Sequence, residues 1–271
     1  MDTHADNLPG HGTRNNSPRA DRRIAWSPVR AYVLEARYEF LRLLRSPSFS
    51  VPTLLFPALF YLLFGVLMGS RGHAGASQYL LATYGVFGVM GVSLFGFGVS
   101  VALDRERGLL TWKRALPMPP GAYLLAKMAM AMIFSAIISL LLAMIAFTAA
   151  GVQLSAGQWA LLWLINVLGV LPFSALGLWL GNLIGGQGAP AVVNLVYLPM
   201  AFLSGLWLPL SLLPDALARA APIWPSYHLA QLALRVVGKD AGQAVTVHVA
   251  VLTGVTLIFA VLAARRLARR S

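Results

Sequence analysis

MAMAMIFSAIISLLLAMIAFTAAGVQLSAGQWALLWLINVLGVLPFSALGLWLGNLIGGQGAPAVVNLVYLPMAFLSGLWLPLSLLP, from Met128 to Pro214, runs for 87 residues without one Asp, Glu, Lys or Arg. A helix crosses the roughly 30 Å hydrocarbon core of a bilayer with about 20 apolar residues, each rising about 1.5 Å. The run is too long for one or two such helices. It is also broken twice, by the small and polar stretch Gly151 to Gly157 and by Gly185, Gly186, Gln187, Gly188, Ala189 and Pro190, where glycine and proline interrupt regular structure. It therefore predicts three spanning helices, about Tyr123 to Ala150, Gln158 to Ile184 and Ala191 to Leu208.

Toward the N-terminus, the window between Arg45 and Arg71 fits a single span, about Ser50 to Gly69, and the window between Arg71 and Asp104 a second, about Tyr79 to Leu103. A last charge-free window, Ala241 to Ala264, supplies the sixth. The composition agrees: of 271 residues 58% are hydrophobic and 11% charged, with mean hydropathy +0.71. Soluble domains are about a quarter charged and less than half apolar, so lipid is the solvent for most of this chain. The fold class expected is all-α, a polytopic membrane protein of six transmembrane helices.

Orientation follows from Lys and Arg in the flanks, because positive loops resist translocation. Of 21 basic residues, 16 fall in the N-terminal arm, the second-to-third loop and the tail. Arg71, Arg219, Arg235 and Lys239 fall on the opposite side, and Lys127 sits at a helix start. Both termini are expected in the cytoplasm, with the chain in the cell membrane. The net charge of +12 is what this asymmetry produces, and nucleic acid is not expected as a partner. The absence of cysteine removes disulfides, thiolate metal sites and cysteine nucleophiles together.

Three segments are not spans. Residues 1–25 lack an apolar run and read as a disordered cytoplasmic arm rather than a secretory signal. Residues 26–48 form an amphipathic helix lying on the membrane surface: Ser27 is a plausible N-cap with Pro28 at the first helical position. Val29, Tyr32, Val33, Ala36, Phe40, Leu43 and Leu44 recur at three- and four-residue spacing, while Arg30, Glu35, Arg37, Glu39 and Arg42 take other faces. Residues 49–271 make the transmembrane domain. Within it, Asp104 to Gly121 is a charged cytoplasmic connector of two or three helical turns. Pro209 to Gly242 is an outer stretch too polar and proline-rich to span, whose Leu217, Ile223, Trp224, Leu229, Leu232 and Leu234 suit short helices resting on the outer interface.

Catalytic chemistry is missing. No phosphate-binding Gly-x-x-x-x-Gly-Lys-Ser/Thr loop occurs, nor a His-Glu-x-x-His zinc motif, nor a Gly-x-Ser-x-Gly elbow. No ionisable residue lies near the midplane of a span, where an ion path would place one. Lys127 at a span edge reads as a snorkelling anchor, His248 as an interfacial residue, and Asn166 and Asn194 as interhelical hydrogen-bond formers. The chain is expected to be no enzyme, with no catalytic residue, no metal and no cofactor of its own.

With these pieces placed, the sequence from about Ala31 to the C-terminus resembles the permease subunit of ABC-2 type ATP-binding-cassette exporters. The amphipathic helix before the first span resembles that family's interfacial helix. Arg105, Glu106, Arg107 and Gly108 through Leu109, Leu110, Leu116 and Pro117 resemble the loop that couples to the ATPase, with Leu109 and Leu116 standing where threonine is common. Leu203, Ser204 and Gly205 through Pro209, Leu213, Pro214, Pro225 and Arg235 resemble the end of the fifth helix and the outer re-entrant helices.

The resemblance implies a membrane permease of an ATP-driven exporter, with ATP bound by separate ABC ATPase subunits and a second permease copy, identical or closely related, completing the path. It implies charged ATPase contacts at Glu106 and Arg105 or Arg107, a tight turn at Gly108, apolar insertion by Leu109 and Leu110, and an outer gate around Pro209, Pro214, Pro225 and Arg235. The apolar, aromatic spans hint at an amphiphilic, lipid-linked or drug-like substrate, with polysaccharide as the alternative left open. A non-transporting scaffold or regulatory subunit and a gradient-driven carrier are the alternatives.

Overall fold

A computed structural model describes residues 28–67, 74–109, 112 and 121–268, and among these every regular element is helical. Helix α1 (Pro28–Leu44) is followed by α2 (Pro47–Val66), α3 (Gly75–Glu106), α4 (Ala122–Thr148), α5 (Ala156–Leu183) and α6 (Ala189–Leu203). Two short helices, α7 (Asp215–Ala220) and α8 (Pro225–Val236), and the 3-10 turns Leu210–Leu212 and Ala221–Ile223 come before α9 (Val245–Ala268). The expected arm, residues 1–25, lies outside the described residues.

Five helices, α2, α3, α4, α5 and α9, are long and apolar enough to cross a membrane. The sixth span differs from expectation. Helix α6 has 15 residues, about 22 Å at the usual rise, and stops at Leu203 instead of running to Leu208. A Schellman turn ends it: the Gly205 and Leu206 amides donate back to the Phe202 and Ala201 carbonyls. Gly205 has φ +77°, and a Cβ there would lie 2.8 Å from Leu210 Cγ, so both the conformation and the space require glycine.

Helix α6 nevertheless returns the chain. Arg42 of α1 pairs with Asp104 of α3, and Arg266 of α9 donates from Nε to the Asn182 carbonyl of α5 at 3.3 Å. The N-terminal helix and the C-terminal end of α9 therefore share one end of the bundle, called the α1 end below.

Helix α3 is the hub: 78% of its spanning window is buried, against 11% for α9. It packs on α2, α4, α5, α6 and α8. Against α5 the approach is backbone to backbone. A Cβ on Gly181 would stand 2.7 Å from the Gly98 carbonyl oxygen, and one on Gly177 3.1 Å from that of Ser93. Small residues permit such contact, and between apolar helices in lipid close packing replaces the hydrophobic drive available in water.

Helix α5 begins at a capping box in which Ser155 and Gln158 satisfy each other's amides. Gln158 also donates from Nε2 to the Val236 carbonyl at 2.8 Å, which ties α5 to the end of α8. That helix corrects a second expectation. Ile223 is 77% exposed, as a segment resting on an interface requires, but Leu229 and Leu234 are buried between α3, α5 and α9.

The polar groups of α8 can enter because they are satisfied inside. The Ser226 and Ser204 hydroxyls hydrogen-bond each other, and Gln231 Oε1 accepts from the Ala241 amide at 2.7 Å. His228 donates from Nε2 to the Pro222 carbonyl at 2.9 Å, since a carbonyl can only accept. His228 Nδ1 and His248 Nδ1 lie 2.9 Å apart, one donating and the other accepting.

Candidate functional site

Two constellations stand out, one of charges at the α1 end and one of aromatic rings along α2, α3 and α6. The first gathers residues from three helices. Lys127 of α4, completely buried, places Nζ 2.5 Å from Glu39 Oε1 of α1, 3.1 Å from Asp104 Oδ2 of α3 and 2.6 Å from the Ser100 hydroxyl. Arg42 bridges the same two acids, at 2.8 Å from Glu39 and 2.9 Å from Asp104. Tyr123 donates its phenol hydrogen to Asp104 Oδ2 at 2.7 Å, and the Lys127 ammonium lies 4.9 Å from the centre of the Tyr123 ring.

Two acids and two bases make the cluster neutral. That balance is what permits burial, because an ion taken out of water without a partner carries a penalty of several kcal/mol. For Arg42, burial works against the charged form, but the hydrogen bond to Asp104 and the fields of Glu39 and Asp104 outweigh it and raise its pKa further. Sequence periodicity puts Glu39 on the polar side of α1 and reads Lys127 as a snorkelling anchor. The structure corrects both: Glu39 faces α4, one position before Phe40, whose ring lies 5.3 Å from Phe134. The signal that could have found the cluster is Lys127 itself, a cation inside an otherwise apolar 27-residue helix.

Immediately after Asp104, the connector grips the α5–α6 junction. Arg105 donates from its two terminal nitrogens to the Asn182 and Ile184 carbonyls, at 2.5 and 2.6 Å. Glu106 Oε2 accepts the Gly186 amide at 2.5 Å. A guanidinium fork on two carbonyls and a carboxylate on an amide are charge-assisted bonds, about twice as strong as neutral ones. Among the described residues Arg107 is exposed with no ion pair, and Gly108 has φ +70° with nothing within 4 Å of where a Cβ would stand. Leu109 is half-buried. Leu110, Leu116 and Pro117 lie outside the described residues.

The expected outer-gate residues are spread over the other end of the bundle. Pro209 precedes the first 3-10 turn, Pro214 precedes α7 and Pro225 opens α8. Arg235 reaches Asp240 at 3.4 Å and the Gln243 carbonyl at 3.2 Å. They do not form one cluster.

The aromatic constellation lines a groove of about 420 Å³ bounded by α2, α3 and α6. Phe87 stacks on Tyr197 at 4.9 Å, Phe95 meets the same ring edge-on at 5.7 Å, and Phe60 stacks on Trp207 at 6.3 Å. Asn194 opens onto this groove and makes no hydrogen bond among the described residues. It is not the interhelical bridge that its sequence position suggests. Asn166 is one, donating from Nδ2 to the Ser139 hydroxyl at 3.0 Å.

The five long apolar helices define a multi-pass membrane protein, and comparison with known proteins says which kind. Residues 31–237 match the ABC-2 type transporter family. A protein of Bacillus subtilis (strain 168) named as a transport permease, YvfS, is 28% identical over 193 residues, covering 70% of this chain and 78% of its own length. The chain belongs to the ABC-2 type transporter family. It is a multi-pass, membrane-embedded transport permease, and permeases of this family work with ABC ATPase partners rather than hydrolysing ATP themselves.

Proposed function

We propose that this chain is the membrane subunit of an ATP-driven exporter that moves an amphiphilic, lipid-linked or drug-like molecule across the cell membrane. Both termini lie in the cytoplasm, α1 lies along the cytoplasmic interface, and α8 dips into the outer half of the bilayer. A second permease copy, identical or closely related, faces the groove between α2 and α6. Two ABC ATPase subunits bind ATP. The basic excess at the α1 end supports this orientation, and the half-open aromatic groove supports an amphiphile as cargo.

The observation that carries the reading is the grip of Arg105 and Glu106 on residues 182, 184 and 186. A push from the ATPase on the connector passes through these three bonds to the start of α6. Because α6 carries Asn194 and Tyr197 into the groove, its displacement changes the groove. Exposed Arg107 and half-buried Leu109 are the connector's contacts to the ATPase, while Arg105 and Glu106 act one step further in, as positioning residues. Allosteric transmission of this kind needs a two-state element, and α6, short and ended by the Gly205 turn, is that element.

The test is reconstitution with the cognate ABC ATPase. Inside-out vesicles holding both subunits are expected to accumulate a fluorescent lysophospholipid only with ATP, and the two subunits to purify together. A permease that never purifies with an ATPase would make the scaffold reading correct. Uptake driven by an ion gradient without ATP would make it a carrier.

A further inference from the structure

At the bundle end away from α1, a second cavity of about 520 Å³ opens between α2, α3 and the turn after α6. Its wall is nearly all apolar and aromatic: Phe60, Phe64, Tyr79, Tyr84, Trp207 and Leu212. It shares Phe60 and Trp207 with the groove described above, so the two lie side by side along α2. Among the described residues one charged side chain reaches this wall, that of Lys239 from the loop between α8 and α9.

Lys239 is placed there by its surroundings. Its amide donates to the Leu234 carbonyl at 2.9 Å, closing the end of α8. A Cβ on Gly75 would lie 3.1 Å from the Lys239 Nζ, so the ammonium rests over the start of α3, where glycine leaves it room. The nearest acid in sequence, Asp240, is turned away: its carboxylate accepts from Arg235 at 3.4 Å and from the Gly242 amide at 3.2 Å. The Lys239 ammonium itself has no ion pair or hydrogen bond among the described residues. The result is an aromatic chamber with one uncompensated cation at its mouth. Such a cavity attracts a molecule with an apolar body and a single negative head, because the chain can be buried against the aromatic wall while the head meets the ammonium at the water-exposed mouth.

We infer that this cavity binds an anionic amphiphile, an alkyl or aryl chain ending in a carboxylate or a phosphate, with the chain against Tyr84, Phe60 and Trp207 and the head on Lys239. The inference rests on the exporter reading and deepens it, since the cavity adjoins the groove that reading assigns to the cargo. It narrows the cargo from amphiphiles in general to acidic ones.

The test needs neither ATP nor transport, so its outcome is separate from that of the exporter reading. Permease in nanodiscs of zwitterionic phosphatidylcholine is titrated with radiolabelled dodecanoate, dodecyl phosphate, dodecanol and dodecylamine, with inorganic phosphate as a tailless control. Dodecanoate, dodecyl phosphate or both are expected to bind saturably and about tenfold more tightly than dodecanol, the scale of one charge-assisted contact. Dodecylamine is expected to be weakest. Lys239 is exposed on a loop, so Lys239→Gln leaves the fold intact. It is expected to remove the preference for acids while leaving dodecanol binding unchanged, and Lys239→Glu to transfer the preference to the amine. Tyr84→Leu, which changes the wall and keeps the charge, is expected to weaken all four chains together. Equal binding of acid, alcohol and amine to the wild-type protein would overturn the inference, as would an acid preference that survives Lys239→Glu. Inorganic phosphate competing as well as dodecyl phosphate would also overturn it, because the chamber would then contribute nothing.

Discussion

Lys127 and Glu39, 88 residues apart, meet at 2.5 Å with the lysine completely buried. The contact makes α1 part of the bundle rather than a separate surface helix, because the same lysine also holds Asp104 at the start of the connector. Helices α1 and α4 and the end of α3 therefore share one set of charges.

Removing one member leaves the buried cluster with one uncompensated charge, although each remaining ion keeps a partner. Lys127→Met is expected to destabilise the protein by about 3 to 5 kcal/mol, and Glu39→Gln by a similar amount. The double variant Glu39→Gln/Lys127→Met is expected to recover a substantial part of the loss, since neither charge is stranded. Thermal unfolding in detergent measures this. Strictly additive losses would mean that the two residues do not act as a pair.

At Gly108 the backbone alone decides. With φ +70° and no atom of the described residues within 4 Å of where a Cβ would stand, Gly108→Val and Gly108→Ala are both strained by about 1 to 2 kcal/mol, whereas Gly108→Asn is tolerated better. Co-purification with the ATPase is expected to fall for valine most and for asparagine least. Equal behaviour of all three would show that the turn does not matter to docking.

Gly181 sits where space decides instead. Its Cβ would meet the Gly98 carbonyl at 2.7 Å, so Gly181→Ala must push α3 and α5 apart, at about 1 to 3 kcal/mol for an overpacked contact. Gly185→Ala, with nothing within 4 Å, is the control and is expected to unfold at the wild-type temperature.

The grip of Arg105 separates positioning from docking. Arg105→Lys keeps the charge but loses the fork that reaches both the Asn182 and Ile184 carbonyls. ATPase binding is expected to persist while export drops at least about fivefold. Loss of ATPase binding by Arg105→Lys would move this residue to the docking surface.

Orientation is directly measurable, since the chain has no cysteine. A cysteine at Ala76 is expected to react with an impermeant maleimide in intact cells, and one at Ser271 only after permeabilisation. The reverse pattern would invert the topology.

Charge-free windows located five helices of full length to within a few residues, because excluding ions from hydrocarbon is a constraint that each residue expresses by itself. The end of α6 was not legible in that way. Residues Leu206 to Leu208 are as apolar as the helix before them, and what stops the helix is the conformation of Gly205 and its contact with Leu210. The burial of α8 was hidden for a related reason: Ser226, His228 and Gln231 read as an exposed segment until Ser204, His248 and Ala241 are brought beside them. Periodicity could not show that Glu39 faces inward either, because its partner lies on another helix. The connector's charges were visible, but the carbonyls that receive Arg105 carry no side-chain signature at all.

The neutral cluster at the α1 end also sets an order of assembly. Glu39 leaves the ribosome 88 residues before the lysine that neutralises it, an interval of about 4 to 18 s at usual elongation rates. Until α4 enters the bilayer, α1 has Arg42 but not Lys127, and its glutamate has to stay in water. The surface helix, first in sequence, is thus among the later elements to lock, and its docking reports that the first three membrane helices have already come together.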